Sequence, residues 1–231
     1  MRKKLLGANH PKTLIGMGNL AWIYHDQGKF DEAEQLEVQV LDMRKKLLGA
    51  EHPDTLTSMG NLASTYSKQG KFEKAEQLNV QVLDMRKKLL GADHPDTLLS
   101  MGNLAWIYHD QGKFDEAEQL EVQVLDMMKK LLGAEHPDTL TSMGNLASIY
   151  SKLGKFDKAE QLNLQVLNMR KKLLGENHPK TLMSMGNLAS KYFNRGRFDE
   201  AEQLEVEVLD NWCRSSQQSL GQGKSSKDIH D

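Results

Sequence analysis

Histidines are the residues of this sequence best suited to metal binding or proton transfer. Five of them stand before proline at a fixed step of 42 residues: His10, His52, His94, His136 and His178. A metal site needs several ligands close together, and no cysteine or carboxylate cluster accompanies these histidines. We therefore predict that they cap helices whose first position is the proline, where the missing N–H matters least.

Two further histidines, His25 and His109, alternate with serine in successive copies of the same segment. No nucleophile stands near them, and the chain shows no phosphate-binding loop, metal motif or paired acid and base. We interpret both as polar groove or surface residues. The sequence predicts no enzyme activity, no metal and no cofactor.

An asparagine after a glycine recurs at the same 42-residue step. Its amide offers both a donor and an acceptor, so a ladder of such groups could pair with the backbone of an extended peptide. The other interpretation is that these amides fix the packing within or between repeats. Both interpretations stay open for Asn19, Asn61, Asn103, Asn145 and Asn187.

Trp22 and Trp106 follow the asparagine by three residues, which places them on the same helix face. Ser64 and Ser148 take this place in the alternate copies. A core position would not accept so large a change of volume without a cavity. We therefore predict exposed aromatic anchors, a residue type enriched in binding hot spots.

The glycine before each asparagine lies inside a predicted helix, where it costs roughly 1 kcal/mol relative to alanine. At Gly60, Gly102 and Gly144 the missing side chain could open the groove floor to another backbone. Close helix-to-helix contact through the glycine is the alternative. We assign the tight-packing position to a neighbouring alanine column instead: Ala21, Ala63, Ala105, Ala147 and Ala189.

Each 42-residue unit predicts two helices. In the second unit the first helix runs from Pro53 to about Lys68, and the second runs from Phe72 to about Leu90. Gly70 separates them and Gly91 ends the second, because glycine is the usual helix stop. Neither helix can bury its apolar face alone, so the units must stack into an all-α array.

The repeat boundaries follow from the His-Pro step. We predict repeats at 10–51, 52–93, 94–135, 136–177 and 178–214, the last with a truncated second helix. Residues 1–9 match the end of a second helix and are predicted to belong to a preceding repeat. Residues 215–231 are polar, rich in glycine and serine, and predicted to be disordered.

Charged columns follow an 84-residue period. One column consists of Asp26, Lys68, Asp110, Lys152 and Asn194, and another consists of Glu32, Lys74, Glu116, Lys158 and Glu200. We predict that opposite charges in neighbouring repeats pair and fix the stacking register. The Arg-Lys-Lys columns, such as 44–46, are predicted to be a solvated helix face.

The bulk composition narrows the partners and the location. The chain has 231 residues, a formal net charge of −2 and one cysteine, Cys213. Near-neutral charge gives no field that would attract nucleic acid or an anionic membrane. A single cysteine fits a reducing compartment, and no apolar run is long enough for a signal peptide or a membrane span. We predict a cytoplasmic protein.

The pattern of Leu62, Ala63, Tyr66, Gly70 and Phe72, followed by Ala75, resembles the tetratricopeptide repeat. The 42-residue form with "HPDTL", "NLA" and "LLG" is similar to the kinesin-light-chain type. Near-identical tandem copies also resemble the C-terminal arrays of fungal and bacterial STAND regulators, which carry a nucleotide-binding domain. The resemblance implies a right-handed superhelical solenoid whose first helices line a concave groove, with asparagine contacting the ligand backbone.

These observations predict a scaffold that binds a protein or peptide ligand and has no catalytic role. A carboxylate clamp is not expected, because its lysine column reads Ile15, Thr57, Leu99, Thr141 and Met183 here. The alternative function is self-association, end to end or in pairs, in an array that forms the sensor part of a larger regulator. Near-interchangeable units motivate it, because an exposed repeat end could accept the end of another chain.

Overall fold

The chain is helical throughout the part that the structure describes. The computed structural model describes residues 10–222, with the backbone alone for 214–222, and this range contains ten helices and no strand. The first helices of the five repeats have 16 residues each: α1 (Pro11–Asp26), α3 (Pro53–Lys68), α5 (Pro95–Asp110), α7 (Pro137–Lys152) and α9 (Pro179–Asn194). The second helices are α2 (Phe30–Leu48), α4 (Phe72–Leu90), α6 (Phe114–Leu132), α8 (Phe156–Leu174) and α10 (Phe198–Gln222).

The His-Pro pairs start every first helix. In each repeat the histidine Nδ1 accepts a hydrogen bond of 3.1–3.2 Å from the backbone N–H two residues later. This bond satisfies one of the orphan donors at the helix start. The predicted capping role is confirmed at all five positions.

Glycine ends the helices where the sequence pattern predicts it. Gly70 between α3 and α4 has φ +73°, and the adjacent Lys71 N–H donates to the Tyr66 carbonyl at 2.8 Å. Gly91 after α4 has φ +95°. These positive φ values strain any residue with a Cβ, so both breaks depend on glycine.

The chain divides into two compact units, Met1–Gly133 and Ala134–Asp231. In the first unit Leu41 packs with Met59 and Leu62 across α2 and α3. The joint between α4 and α5 repeats this arrangement with Leu83, Met101 and Leu104. In the second unit Leu167 of α8 packs with Met185 and Leu188 of α9. Neighbouring repeats in each unit therefore share one type of apolar joint.

A polar clasp closes each of these three joints. Glu76 of α4 accepts hydrogen bonds from Tyr108 (3.3 Å), Gln111 (2.9 Å) and Lys113 (3.2 Å) of the next repeat. These bonds, that of Gln111 foremost, hold the pKa of Glu76 below its usual value. The equivalent glutamates Glu34 and Glu160 have the same kind of partners: Lys71, Tyr192, Arg195 and Arg197.

Arginines near the ends of the second helices reach into the joints. Arg86 Nη1 donates to the Asp96 carbonyl and to Ser100 Oγ, both at 2.9 Å. The pairs Arg44–Ser58 (2.8 Å) and Arg170–Ser184 (2.7 Å) repeat the contact. The prediction of a solvated face is wrong for these arginines, because the side chain is long enough to cross to the next first helix.

The last helix differs from the prediction. Helix α10 has 25 residues and ends at Gln222, whereas we predict a truncated helix that ends near 214 and a disordered tail from 215. Gln217 stands where Gly175 ends α8, so the usual stop is missing here. The expectations for residues 1–9 and 223–231 lie outside the described residues.

Candidate binding surface

The first helices present one asparagine each on their exposed side. The asparagine side chain is exposed in four repeats and half-buried at Asn145. Within the described residues none of the five makes a side-chain hydrogen bond. We call Asn19, Asn61, Asn103, Asn145 and Asn187 the amide column. Its donors and acceptors are not used for packing in the described part of the chain.

The glycine before each column asparagine has free space around it. A Cβ built at Gly60 or Gly144 meets no other atom within 4 Å. At Gly102 the nearest atom is Glu121 Oε2, at 3.8 Å, an ordinary van der Waals contact. The geometry therefore does not support close helix contact through these glycines. The alanine column takes that place, with Ala63 fully buried against Ala75.

The two tryptophans of this face differ in their surroundings. Trp22 is 64% exposed. Trp106 is half-buried, with its ring stacked on His109 at 4.7 Å between centroids and an interplanar angle of 10°. Lys68 Nζ lies 5.9 Å from the Trp106 centroid. The second tryptophan is therefore held in place by its neighbours, while the first presents its ring to solvent.

His25 and His109 point toward the start of the following helix. The His25 ring meets Phe30 edge-on at 5.3 Å, and His109 meets Phe114 at 5.5 Å. Burial, and then the Lys68 charge, lower the pKa of His25, which favours the neutral imidazole. Each imidazole therefore packs against the first residue of the following helix. His109 also packs against Trp106.

Apolar side chains one turn before the amide column were not singled out as anchors by the sequence reasoning. Ile15 is 51% exposed, Leu99 52% and Met183 55%. The alternate repeats carry Thr57 and Thr141 at this place. Their alternation with threonine in the sequence could have indicated that these positions are exposed, in the same way as the alternation of tryptophan with serine did. Odd-numbered repeats therefore present an apolar residue beside the asparagine and even-numbered repeats present a small polar one.

One pair of the first predicted ion-pair column is found between neighbouring first helices. Lys68 Nζ lies 3.2 Å from Asp110 Oδ2, which also accepts a 3.0 Å hydrogen bond from Ser67. In the other column Lys74 lies 5.4 Å above the Tyr66 ring. Lys74 forms no ion pair with Glu32 or Glu116 within the described residues, so this predicted pairing is wrong. Its side chain turns back to the first helix of its own repeat.

No group of three or more histidine, cysteine, aspartate or glutamate side chains is placed to hold a metal ion within the described residues. None of the helices in the described range is long and apolar enough to cross a membrane.

Comparison with protein families identified tetratricopeptide repeats along the chain. The model of the family described as Tetratricopeptide repeat matches residues 13–54, 55–96, 97–138, 139–180 and 181–215. Successive matches begin 42 residues apart, the same spacing as that of the His-Pro pairs. Each match begins three residues after the start of the corresponding predicted repeat.

Solved structures share the fold. A crystal structure of kinesin light chain nearly identical TPR-like repeats from Podosopora anserina is 34% identical, covers 90% of this chain and 98% of that chain, and has a TM-score of 0.73. BtubC (BKLC) from P. vanneervenii is 21% identical over 89% of this chain and 82% of its own, with a TM-score of 0.70. A Rap protein complexed with Competence and Sporulation Factor is 13% identical over 90% and 60%, with a TM-score of 0.70. Comparison with curated proteins gave no match.

Proposed function

This chain belongs to the tetratricopeptide repeat family, and on that premise we propose that it is a non-catalytic scaffold for an extended protein or peptide segment. In each of the two units the ligand lies along the exposed face of the first helices. The observation that carries the proposal is the amide column, whose members have no hydrogen bonds of their own in the described part of the chain. Amides without hydrogen-bond partners in the described part of the chain suit a ligand backbone better than a structural role.

The side chains beside the amide column indicate what the ligand carries. Ile15 and Trp22 in the first repeat, and Leu99 and Trp106 in the third, offer apolar contacts. The second and fourth repeats offer threonine and serine instead. We therefore infer a ligand with apolar side chains at separated positions and a polar stretch between them. Because Lys68 is paired with Asp110, we expect this face to bind ligands of either net charge.

The solved neighbours support a binding role at the level of the fold. The Rap protein was crystallised with Competence and Sporulation Factor, so one array of this fold holds a partner. A narrower proposal, that this array is the sensor part of a STAND-type regulator, is supported by the resemblance of its near-identical copies. A cytoplasmic location stays a prediction.

The test replaces Asn61, Asn103 and Asn145 with alanine together. The probe is a display library of random 12-residue peptides, selected first on the unsubstituted chain. We expect binding of the enriched peptides to fall at least about tenfold, while helicity and melting temperature stay nearly unchanged. The matched control replaces three exposed lysines of the second helices with alanine: Lys45, Lys87 and Lys129. This control variant should bind the enriched peptides as well as the unsubstituted chain does.

The opposite pattern would overturn the proposal. A large fall in melting temperature would mean that the asparagines hold the repeats together. Peptide binding that survives the triple substitution would place the ligand elsewhere. A second variant, Trp22→Ala with Trp106→Ala, should remove peptides with aromatic or large aliphatic residues from the enriched set.

A further inference from the structure

Leucines at the ends of the second helices are left half-exposed in the first unit. Leu47 and Leu48 of α2 are 50% and 44% exposed, and Leu89 and Leu90 of α4 are 49% and 42% exposed. Leu131 of α6 is 49% exposed. We call these five residues the leucine edge. Helix α4 packs between α3 and α5, so the exposure of its leucines does not arise from an end of the chain.

The position of these leucines on their helices explains why they stay open. Seven residues earlier, Leu41 and Leu83 are 5% and 6% exposed, because the first helix of the next repeat packs on them. Residues 49–52 form a turn before that next helix begins. Leu47 and Leu48 therefore come after the part of α2 that the next helix covers.

The turn after each second helix holds the leucine edge in place. Thr55 Oγ1 donates a hydrogen bond to the Gly49 carbonyl, and Arg44 Nη1 donates one to the Asp54 carbonyl, both at 2.8 Å. The same two bonds recur between α4 and α5, at 2.8 and 2.9 Å. The leucines of neighbouring repeats are therefore presented in one fixed arrangement, and a preformed surface loses little conformational entropy on binding.

The charged side chains around the leucine edge are balanced in sign. Two lysines and two acids are exposed at each of two helix ends: Lys45, Lys46, Asp42 and Glu51 at α2, and Lys87, Lys88, Asp84 and Asp93 at α4. None of these eight forms an ion pair within the described residues. Equal numbers of both signs create no field that favours an anionic lipid surface. They suit a partner surface that carries both signs as well.

The spacing of the leucine edge restricts the partner further. One partner surface covers the leucines of α2, α4 and α6 together only if its own apolar groups recur at the step of the repeats. A second copy of this chain has that step and the same balance of charges. In a two-fold arrangement the end of α2 meets the end of α6 of the other copy, and the two α4 ends meet at the axis.

We propose that two copies of this chain associate through the leucine edge about a two-fold axis. Leu89 and Leu90 of the two copies pack on one another at the centre of the interface, where binding energy is usually concentrated. The lysines at each α4 end lie opposite the acids of the other copy. A two-fold contact uses the same surface on both copies, so association ends at two chains. It leaves the amide column free and stands independently of peptide binding.

Sedimentation equilibrium on the full chain tests the proposal. The unsubstituted chain should form dimers as its concentration rises to about 1 mM, which covers even weak contacts. Leu89→Lys combined with Leu90→Lys should weaken dimerisation at least about tenfold, because it brings like charges together at the axis. Leu99→Lys is the matched control, since Leu99 is 52% exposed but lies beside the amide column. This control should dimerise as the unsubstituted chain does, and circular dichroism verifies that the variants fold.

A charge exchange in the same assay tests the two-fold arrangement. One variant replaces Lys87 and Lys88 with glutamate, and a second replaces Asp84 and Asp93 with lysine. Each variant alone should dimerise at least about tenfold more weakly, since like charges then face each other. An equimolar mixture should form dimers with one chain of each variant, because the two edges then carry opposite charges.

Four results would overturn the paired leucine edges. The first is a monomeric unsubstituted chain at the highest concentration. If that monomer floats with vesicles of phosphatidylcholine and phosphatidylserine, the edge binds lipid instead. The second is a mass that rises beyond two chains. The third is dimerisation that the Leu89 and Leu90 substitutions leave unchanged or that Leu99→Lys weakens equally. The fourth is a mixture of the two charge variants that dimerises no better than either variant alone.

Discussion

At the scale of single residues, the glycine before each column asparagine is unusual because the fold does not require it. A Cβ at Gly60 has open space around it, and its φ is ordinary for a helix. Gly70, only ten residues later, has φ +73° and is required by its turn. Such a glycine weakens the helix and relieves no steric contact within the protein. We therefore explain it by the close approach of a bound ligand to this face of the helix. This supports the proposed groove floor beside the amide column.

Gly60→Ala should therefore stabilise the protein and weaken peptide binding. Helix propensity predicts a rise of up to about 1 kcal/mol in the free energy of unfolding. The added methyl group would narrow the surface beside Asn61 and lower affinity for the library peptides. Urea denaturation and peptide titration measure the two effects.

Gly70→Ala serves as the control for this substitution. It should destabilise the protein, because an alanine at φ +73° is strained. A loss of stability in Gly60→Ala would contradict the free space described here, and unchanged peptide affinity would remove the glycine from the binding surface.

At the scale of elements, the joint between α2 and α3 buries a carboxyl group. Glu37 of α2 is 7% exposed and lies near the Thr65 hydroxyl of α3. Burial raises the pKa of Glu37 to about 7, and the Thr65 hydroxyl offsets part of the rise. The folded chain therefore binds this proton more tightly than the unfolded chain does. The resulting stability is complete in acid and is lost as the pH rises through 7.

Glu37→Gln should remove this dependence of the free energy of unfolding on pH. The amide keeps the shape of the neutral carboxyl and carries no charge to desolvate. At pH 8 the variant should be more stable than the parent by on the order of 2 kcal/mol, with little difference at pH 4. Urea denaturation across this range makes the measurement, and Glu32→Gln, exposed on the same helix, is the control. A parent profile that does not fall toward pH 8 would contradict the buried carboxyl.

At the scale of the whole molecule, stability accumulates from repeats and the joints between them. Helices α3, α4 and α5 lie between neighbours in the first unit. Helix α1 has its apolar side toward solvent, as does α10 in the second unit. Local opening is therefore expected to begin at the two described ends.

Native-state hydrogen exchange can verify this order. Amides of α1 and α10 should exchange fastest and those of α3 to α5 slowest, because each middle helix packs against a helix on both sides. Equal protection from hydrogen exchange in all helices of the first unit would contradict the description of stability as a sum over repeats and joints.

The sequence predicts the framework better than the details of its surface. Helix bounds follow from His-Pro and glycine, since these residues act locally through capping and positive φ. The burial of Arg86 and the turn of Lys74 toward Tyr66 did not follow from the pattern. The length of α10 and the inward placing of His109 did not follow either. A periodic pattern fixes which way a side chain leaves its helix, but the reach of a long side chain depends on the neighbouring helix.

The alternation of Lys68 and Asp110 has a consequence for how such a gene can change its copy number. Loss of residues 52–93 would bring Asp26 next to Asp110, whereas loss of residues 52–135 would bring Asp26 next to Lys152. Recombination between near-identical copies therefore preserves the order of charges only when it removes or inserts two units at a time.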